Sequence, residues 1–183
     1  MRSTGSSPKA ACGRRVAPAP CRRRSGAGAI RTVSRERSTR SAATADVSLF
    51  YADASALAKL VLDEPESAAL RAFAREDLLT SCEISVTEVL RALTRNLQND
   101  PTLVPEVVRE QATRVLDAIP LAPVEYELLV AAGRLPEPSL RALDAIHIAA
   151  ALSLDGLDGF VTYDVRQAAG ARLAGLRTFS PGA

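Results

Sequence analysis

VSLFYADASALAKLVL, residues 47 to 62, changes character at Asp53. Val47 to Ala52 is a short apolar run with a β-branched residue and two aromatics, the composition of a strand buried on both faces. From Asp53 onward the apolar residues recur with a helical period, and either Asp53 or Ser55 can cap the free N–H groups of the new helix. A buried strand feeding directly into a helix is the opening half of a parallel βαβ unit, and the rest of the chain repeats the alternation.

Pro65 suits the first turn of a second helix running to about Arg75. Asp77 to Ser81 reads as a second strand, and Ser85 to Arg95 as a helix whose Val86, Val89, Leu90 and Leu93 share a face, with Glu88 early on it. Residues 104 to 118 predict an amphipathic helix, Ile119 to Leu121 a short third strand, and Pro123 to about Leu135 a further helix. Ser139 to Leu154 is apolar almost all round, which marks a central buried helix with Asp144 facing inward or at its rim. Gly159 to Asp164 is a fourth strand, Val165 to Leu173 a last helix and Leu176 to Phe179 a terminal strand. The pattern is that of an α/β domain over residues 46 to 183, a mostly parallel sheet covered on both faces, with any site at the carboxyl ends of its strands.

Residues 1 to 45 are unlike this domain. They hold 11 of the 23 Lys and Arg residues and one acid, Glu36, a net of +10, and the remaining residues carry 12 basic against 20 acidic groups, −8. Rich in Arg, Ser, Ala, Gly and Pro and free of aromatics, the stretch cannot bury enough surface to fold and is expected to be a disordered basic extension. It reads as an RNA-binding or targeting arm, a leader without function, or upstream sequence from a misassigned start, Met1 being the only Met. No run reaches the roughly 18 to 20 apolar residues needed to cross a bilayer, and no apolar signal segment opens the chain, which points to the cytoplasm. Cys12, Cys21 and Cys82 form neither a disulfide framework nor a zinc spacing.

Four acids carry the chemical reading. Asp53 and Asp164 each sit where a strand stops, so a parallel sheet points both into one crevice. Glu88 and Asp144 lie in apolar helices, where a carboxylate needs a compensating partner; Lys59, Arg91, Arg95 and Arg141 are the near basic candidates. Converging carboxylates repel one another unless cations neutralise them, and an all-oxygen site favours Mg²⁺ or Mn²⁺ over zinc. Such ions activate water and stabilise a leaving oxygen in phosphodiester cleavage. Ser55 and Thr162 are placed to orient the acids by hydrogen bonds. Blander roles exist for each: Asp53 as a helix N-cap, Glu88 as a partner of Arg91 or Arg95, and Asp164 as a turn residue. Asp144 resists such a role because a solvated position within LRALDAIHIAAAL is out of keeping with that segment, and His147, one turn later, reads as a structural histidine.

Together, YADASALAKL around Asp53, SVTEVLRAL around Glu88, LRALDAIHIAAAL around Asp144 and FVTYDVRQAAGARLAGLRTFSPG around Asp164 resemble the PIN-domain family, most closely its VapC-type ribonuclease toxins, over about residues 47 to 181. The resemblance implies a three-layer α/β/α domain on a parallel sheet of about five strands. It also implies a Mg²⁺- or Mn²⁺-dependent endoribonuclease, a protein antitoxin that occludes the site, and a homodimer. Carried over by motif, Asp53 and Asp144 are the principal metal ligands, Glu88 and Asp164 complete the cluster, and Ser55 and Thr162 match the family's small hydroxyl positions. Because the domain is acidic, RNA contact falls to local arginines: Arg91, Arg95, Arg141, Arg166 and Arg172. Residues 98 to 123 are the candidate antitoxin and dimer surfaces. Two other functions fit the acids, a non-catalytic RNA- or protein-binding scaffold and a phosphotransfer enzyme with Asp53 as nucleophile; the second lacks a lysine on a late strand, Lys59 being the only Lys in the domain.

Overall fold

A computed structural model of the chain describes residues 47–183. The expectation for residues 1 to 45 lies outside the described residues. Five strands are present, β1 (Leu49–Ala52), β2 (Leu78–Cys82), β3 (Leu121–Ala122), β4 (Gly159–Val161) and β5 (Thr178–Phe179). Seven helices join and cover them among the described residues: α1 (Ala54–Val61), α2 (Ser67–Glu76), α3 (Ile84–Asn99), α4 (Pro105–Ala118), α5 (Tyr126–Ala132), α6 (Ala142–Leu152) and α7 (Val165–Leu173). The sheet order is β3-β2-β1-β4-β5, with every pairing parallel. β1 lies at its centre, Tyr51 paired with Thr80 on one side and Phe160 on the other.

Side chains of a strand alternate between faces, and here the alternation separates two cores. Phe50, Ala52, Leu79 and Val161 pack with Leu57, Leu70, Val89 and Val108 from α1 to α4. On the opposite face Tyr51, Cys82 and Phe160 pack with Leu128, Ile148 and Ala171 from α5 to α7. The domain is therefore a three-layer α/β/α sandwich. Tyr51 and Phe160, neighbours in the ladder, stack with ring centroids 5.3 Å apart, joining the two central strands through side chains as well as backbone. Among the described residues no helix is long and apolar enough to cross a membrane.

The structure shifts several predicted boundaries. β3 begins two residues later than Ile119, because Pro120 contributes only its carbonyl, which accepts from the Ser81 N–H and the Thr80 hydroxyl, both at 3.0 Å. α3 continues past Arg95 to Asn99, carried by Leu97 against the first core. α5 is shorter than residues 123 to 135. α6 starts at Ala142 rather than Ser139, since Arg141 is extended (φ −74°, ψ 160°) and its N–H is capped by the Asp144 carboxylate at 3.2 Å. That cap puts Asp144 in the first turn, at the rim of the layer. Replacing Phe160 by Ala should lower the unfolding free energy by about 3 to 5 kcal/mol in urea denaturation, and a loss below about 1 kcal/mol would show that its stack is not part of the load on the central strands.

Candidate functional site at the carboxyl edge of the sheet

Asp53 follows the last residue of β1, and its N–H still bonds the Val161 carbonyl of β4 at 3.1 Å. Its side chain then turns into the protein, only 1% exposed, and caps α1. One carboxylate oxygen accepts from the Ala56 N–H at 2.9 Å and the Ser55 hydroxyl at 2.7 Å; the other accepts from the Thr162 hydroxyl at 2.6 Å. Both hydroxyls also receive a backbone N–H from the chain beyond β4, Ser55 from Tyr163 at 2.9 Å and Thr162 from Asp164 at 3.1 Å. With an N–H pointing at each oxygen, the hydroxyl protons are left for Asp53. The N-cap role and the orienting roles of Ser55 and Thr162 thus coexist in one network. Burial pushes the Asp53 carboxyl above its ordinary range, against the pull of the bonds from Thr162, Ala56 and Ser55.

Glu88, on the second turn of α3, makes no ion pair with Arg91 or Arg95. Its carboxylate reaches across to His147 on α6, at 2.6 Å from Nε2, while Nδ1 of the same ring lies 2.8 Å from the Tyr51 hydroxyl of β1. Burial of the imidazole draws its pKa down, but the bonds to Cys82 and Glu88 outweigh it and push it up to about 9. His147 lines the same cleft and holds one of the four acids in place. The spacing of Asp144 and His147 carried the signal, since residues three apart share a helix face.

Asp164 caps α7, accepting from the N–H groups of Arg166 and Gln167 at 2.8 and 3.0 Å. Asp144 is 15% exposed in its side chain and stands in the first turn of α6, at the rim of the layer and largely shielded from solvent. The partner of both acids is Arg166. Its Nε lies 3.6 Å from Asp144 and its Nη2 3.6 Å from Asp164. None of the four basic residues proposed to compensate the buried acids does so; Lys59 is held by Glu64 and Glu66 instead, beneath the Tyr163 ring.

All four acids line one open cleft of about 760 Å³, together with Lys59, Arg95, Arg141, His147 and Arg172. Arg95 and Arg141 make no ion pair among the described residues, and Arg172 bonds the Thr178 hydroxyl at 2.9 Å. Arg91 is exposed on α3 and does not line the cleft. Gln167, which the sequence reading missed, does line it, is buried, and has an amide nitrogen without a partner. Its neighbour Asp164 as an N-cap was the available signal, because the first turn of a helix then faces the same crevice.

As donors, these carboxylates suit a hard divalent ion, and the convergence of Asp144 and Asp164 on the Arg166 guanidinium shows that a cation is accommodated between them. Among the described residues, however, no three Asp, Glu, His or Cys side chains stand close enough to hold one ion together. The single four-acid cluster anticipated from sequence is divided: Asp53 is tied to hydroxyls, Glu88 to His147, and Asp144 and Asp164 to Arg166.

A parallel sheet in this order, with acids from four separate segments on one cleft, defines an α/β domain of PIN type. The PIN domain profile matches residues 50–173, and the chain belongs to the PIN-domain family. Among curated proteins it is 37% identical over 142 residues to Ribonuclease VapC47 of Mycobacterium tuberculosis (strain CDC 1551 / Oshkosh), covering 74% of this chain and 98% of that protein. To Ribonuclease VapC46 of Mycobacterium tuberculosis (strain ATCC 25618 / H37Rv) it is 36% identical over 133 residues, 72% and 96% of the two chains. Ribonuclease VapC35 of the same species is 33% identical over 141 residues, 73% and 98%. These relatives place it with the VapC-type members of the family.

The raised Asp53 carboxyl has a pH signature. The folded state keeps this proton where the unfolded chain has lost it, so the contribution to stability is complete below the ordinary carboxylate range and is lost as pH rises through the folded value. In EDTA, the stability of wild type relative to Asp53→Asn should fall as pH rises above the ordinary carboxylate range in urea denaturation. A difference that stays flat, or rises with pH, would contradict the raised value.

Proposed function

We propose that the protein is a divalent-metal-dependent endoribonuclease, the toxin of a toxin–antitoxin pair, acting in the cytoplasm as a homodimer that a cognate protein antitoxin restrains. The observation that carries this reading is the buried Asp53 carboxylate, fixed at the carboxyl edge of the sheet and opening on the cleft that Glu88, Asp144 and Asp164 also line. The names of the relatives, each a ribonuclease, support the substrate class.

In this reading Asp53 and Asp144 are the principal ligands for Mg²⁺ or Mn²⁺, with Glu88 and Asp164 as the further acids. When bound, the cation supplies activation of water and neutralisation of the charge that builds on the phosphodiester. The chain's own residues do the positioning. Ser55 and Thr162 keep Asp53 from rotating, and His147, itself anchored on Tyr51, keeps one Glu88 oxygen in place. Arg95 and Arg141 stand on the cleft wall with free guanidinium groups and are the residues to meet RNA phosphates, a local basic edge on an otherwise acidic domain. Exposed Val104 and Val107, the N-cap and a first-turn residue of α4, support residues 98 to 123 as a partner surface.

A non-catalytic scaffold is favoured by one observation, the pairing of two of the acids with Arg166. Assay on total cellular RNA separates the two readings. The wild type, free of antitoxin, should give discrete fragments with Mg²⁺ or Mn²⁺ and none with EDTA. Asp144→Asn should reduce cleavage at least about a hundredfold while the melting temperature and circular dichroism stay near wild type. Undiminished cleavage by Asp144→Asn, or folded wild type that never cleaves, would sink the catalytic assignment.

A further inference from the structure

Arg166 is an arginine in an unusual position for its chemistry. It lies two residues after the last acid of the site, half-buried on the first turn of α7, and both of its ion pairs are with candidate ligands, Asp144 from α6 and Asp164 from the end of the β4 segment. Neither contact is a fitted hydrogen bond: each spans 3.6 Å, and the buried Nε has no hydrogen-bond partner. A guanidinium normally meets carboxylates as a planar fork with short, paired bonds. Here it is held by charge while its donors are poorly used, so the arrangement costs little to undo.

We propose that Arg166 is an internal counter-cation of the site, holding Asp144 and Asp164 together in the metal-free protein, and that a divalent ion must displace its guanidinium to bind. The inference rests on the metal-binding reading of these acids and adds a competitor for them. It accounts for three observations at once: the absence, among the described residues, of a three-acid group open to one ion; the unpartnered Nε; and the sharing of one guanidinium between two of the four acids. By this competition Arg166 acts as a positioning residue and sets the metal concentration at which the site fills. It also keeps the empty site from carrying an uncompensated pair of negative charges.

The test is Mn²⁺ affinity of the full chain, read by electron paramagnetic resonance of free Mn²⁺, with no RNA and no turnover. Arg166→Ala should bind Mn²⁺ at least about fivefold more tightly than wild type, since two partly exposed ion pairs no longer compete. Arg166→Lys, which keeps the charge, should return most of the way to the wild-type affinity. Arg95→Ala removes a charge from the same cleft without touching an acid, and at about 0.15 M salt, where screening acts over about 8 Å, it should change affinity less than twofold. Unchanged or weaker binding by Arg166→Ala, an equal gain in Arg95→Ala, or an Arg166→Lys variant as tight as Arg166→Ala each overturns the proposal while leaving the metal site itself standing. If neither wild type nor Arg166→Ala shows saturable Mn²⁺ binding, the metal-binding reading falls and the competitor falls with it.

Discussion

The site depends on a buried carboxylate at the junction of two strands. Asp53 is the place where the central strand ends, where α1 begins and where the chain beyond β4 is fastened, all through one side chain and its three hydrogen-bond donors. Ser55 and Thr162 are each both donor and acceptor, so the Asp53 oxygens and the backbone N–H groups of Tyr163 and Asp164 belong to one connected network. A network of this kind, closed except for the charge at its centre, fixes geometry at the cost of leaving a desolvated negative group. No ion pair answers that charge among the described residues, which is why the carboxyl is pushed up and why a cation is the natural complement to it.

The other three acids have been given their complements by the protein itself, from two successive helices of one layer. His147 serves Glu88 from the helix beneath the second core, and Arg166 serves Asp144 and Asp164 from the helix that follows β4. The cleft is thus pre-organised but guarded. Its wall carries positive charge in Arg95 and Arg141, on the edge of a domain that is acidic as a whole.

Much of this was legible in the sequence because the fold puts chemistry at places that patterns mark. A buried strand that stops at an acid and becomes a helix, as at Asp53, is visible in the change of apolar period alone, whereas β4 ends at Val161, three residues before the cap at Asp164. The strand and helix order, and with it the parallel sheet, followed from the same alternation. Three things were not visible. Pair partners across the fold are set by packing, so the sequence offers Glu88 the arginines of its own helix while the fold gives it a histidine on another. The start of α6 was placed too early because Ser139 and Leu140 continue the apolar pattern, whereas capping by Asp144 decides the boundary and brings that acid to the rim. The sequence shows the charge of Arg166 but not the two carboxylates that it meets in the fold.

The central claim is that the Asp53 carboxylate anchors a divalent-cation site shared with Asp144 or Asp164. Diffraction from crystals of the protein soaked in Mn²⁺, with data collected for anomalous scattering from manganese, tests it directly. A peak within ligating distance of an Asp53 oxygen and of at least one of the other two acids is the predicted result. Peaks confined to surface carboxylates such as Asp63 or Glu106, with the cleft bare at saturating Mn²⁺, would contradict it.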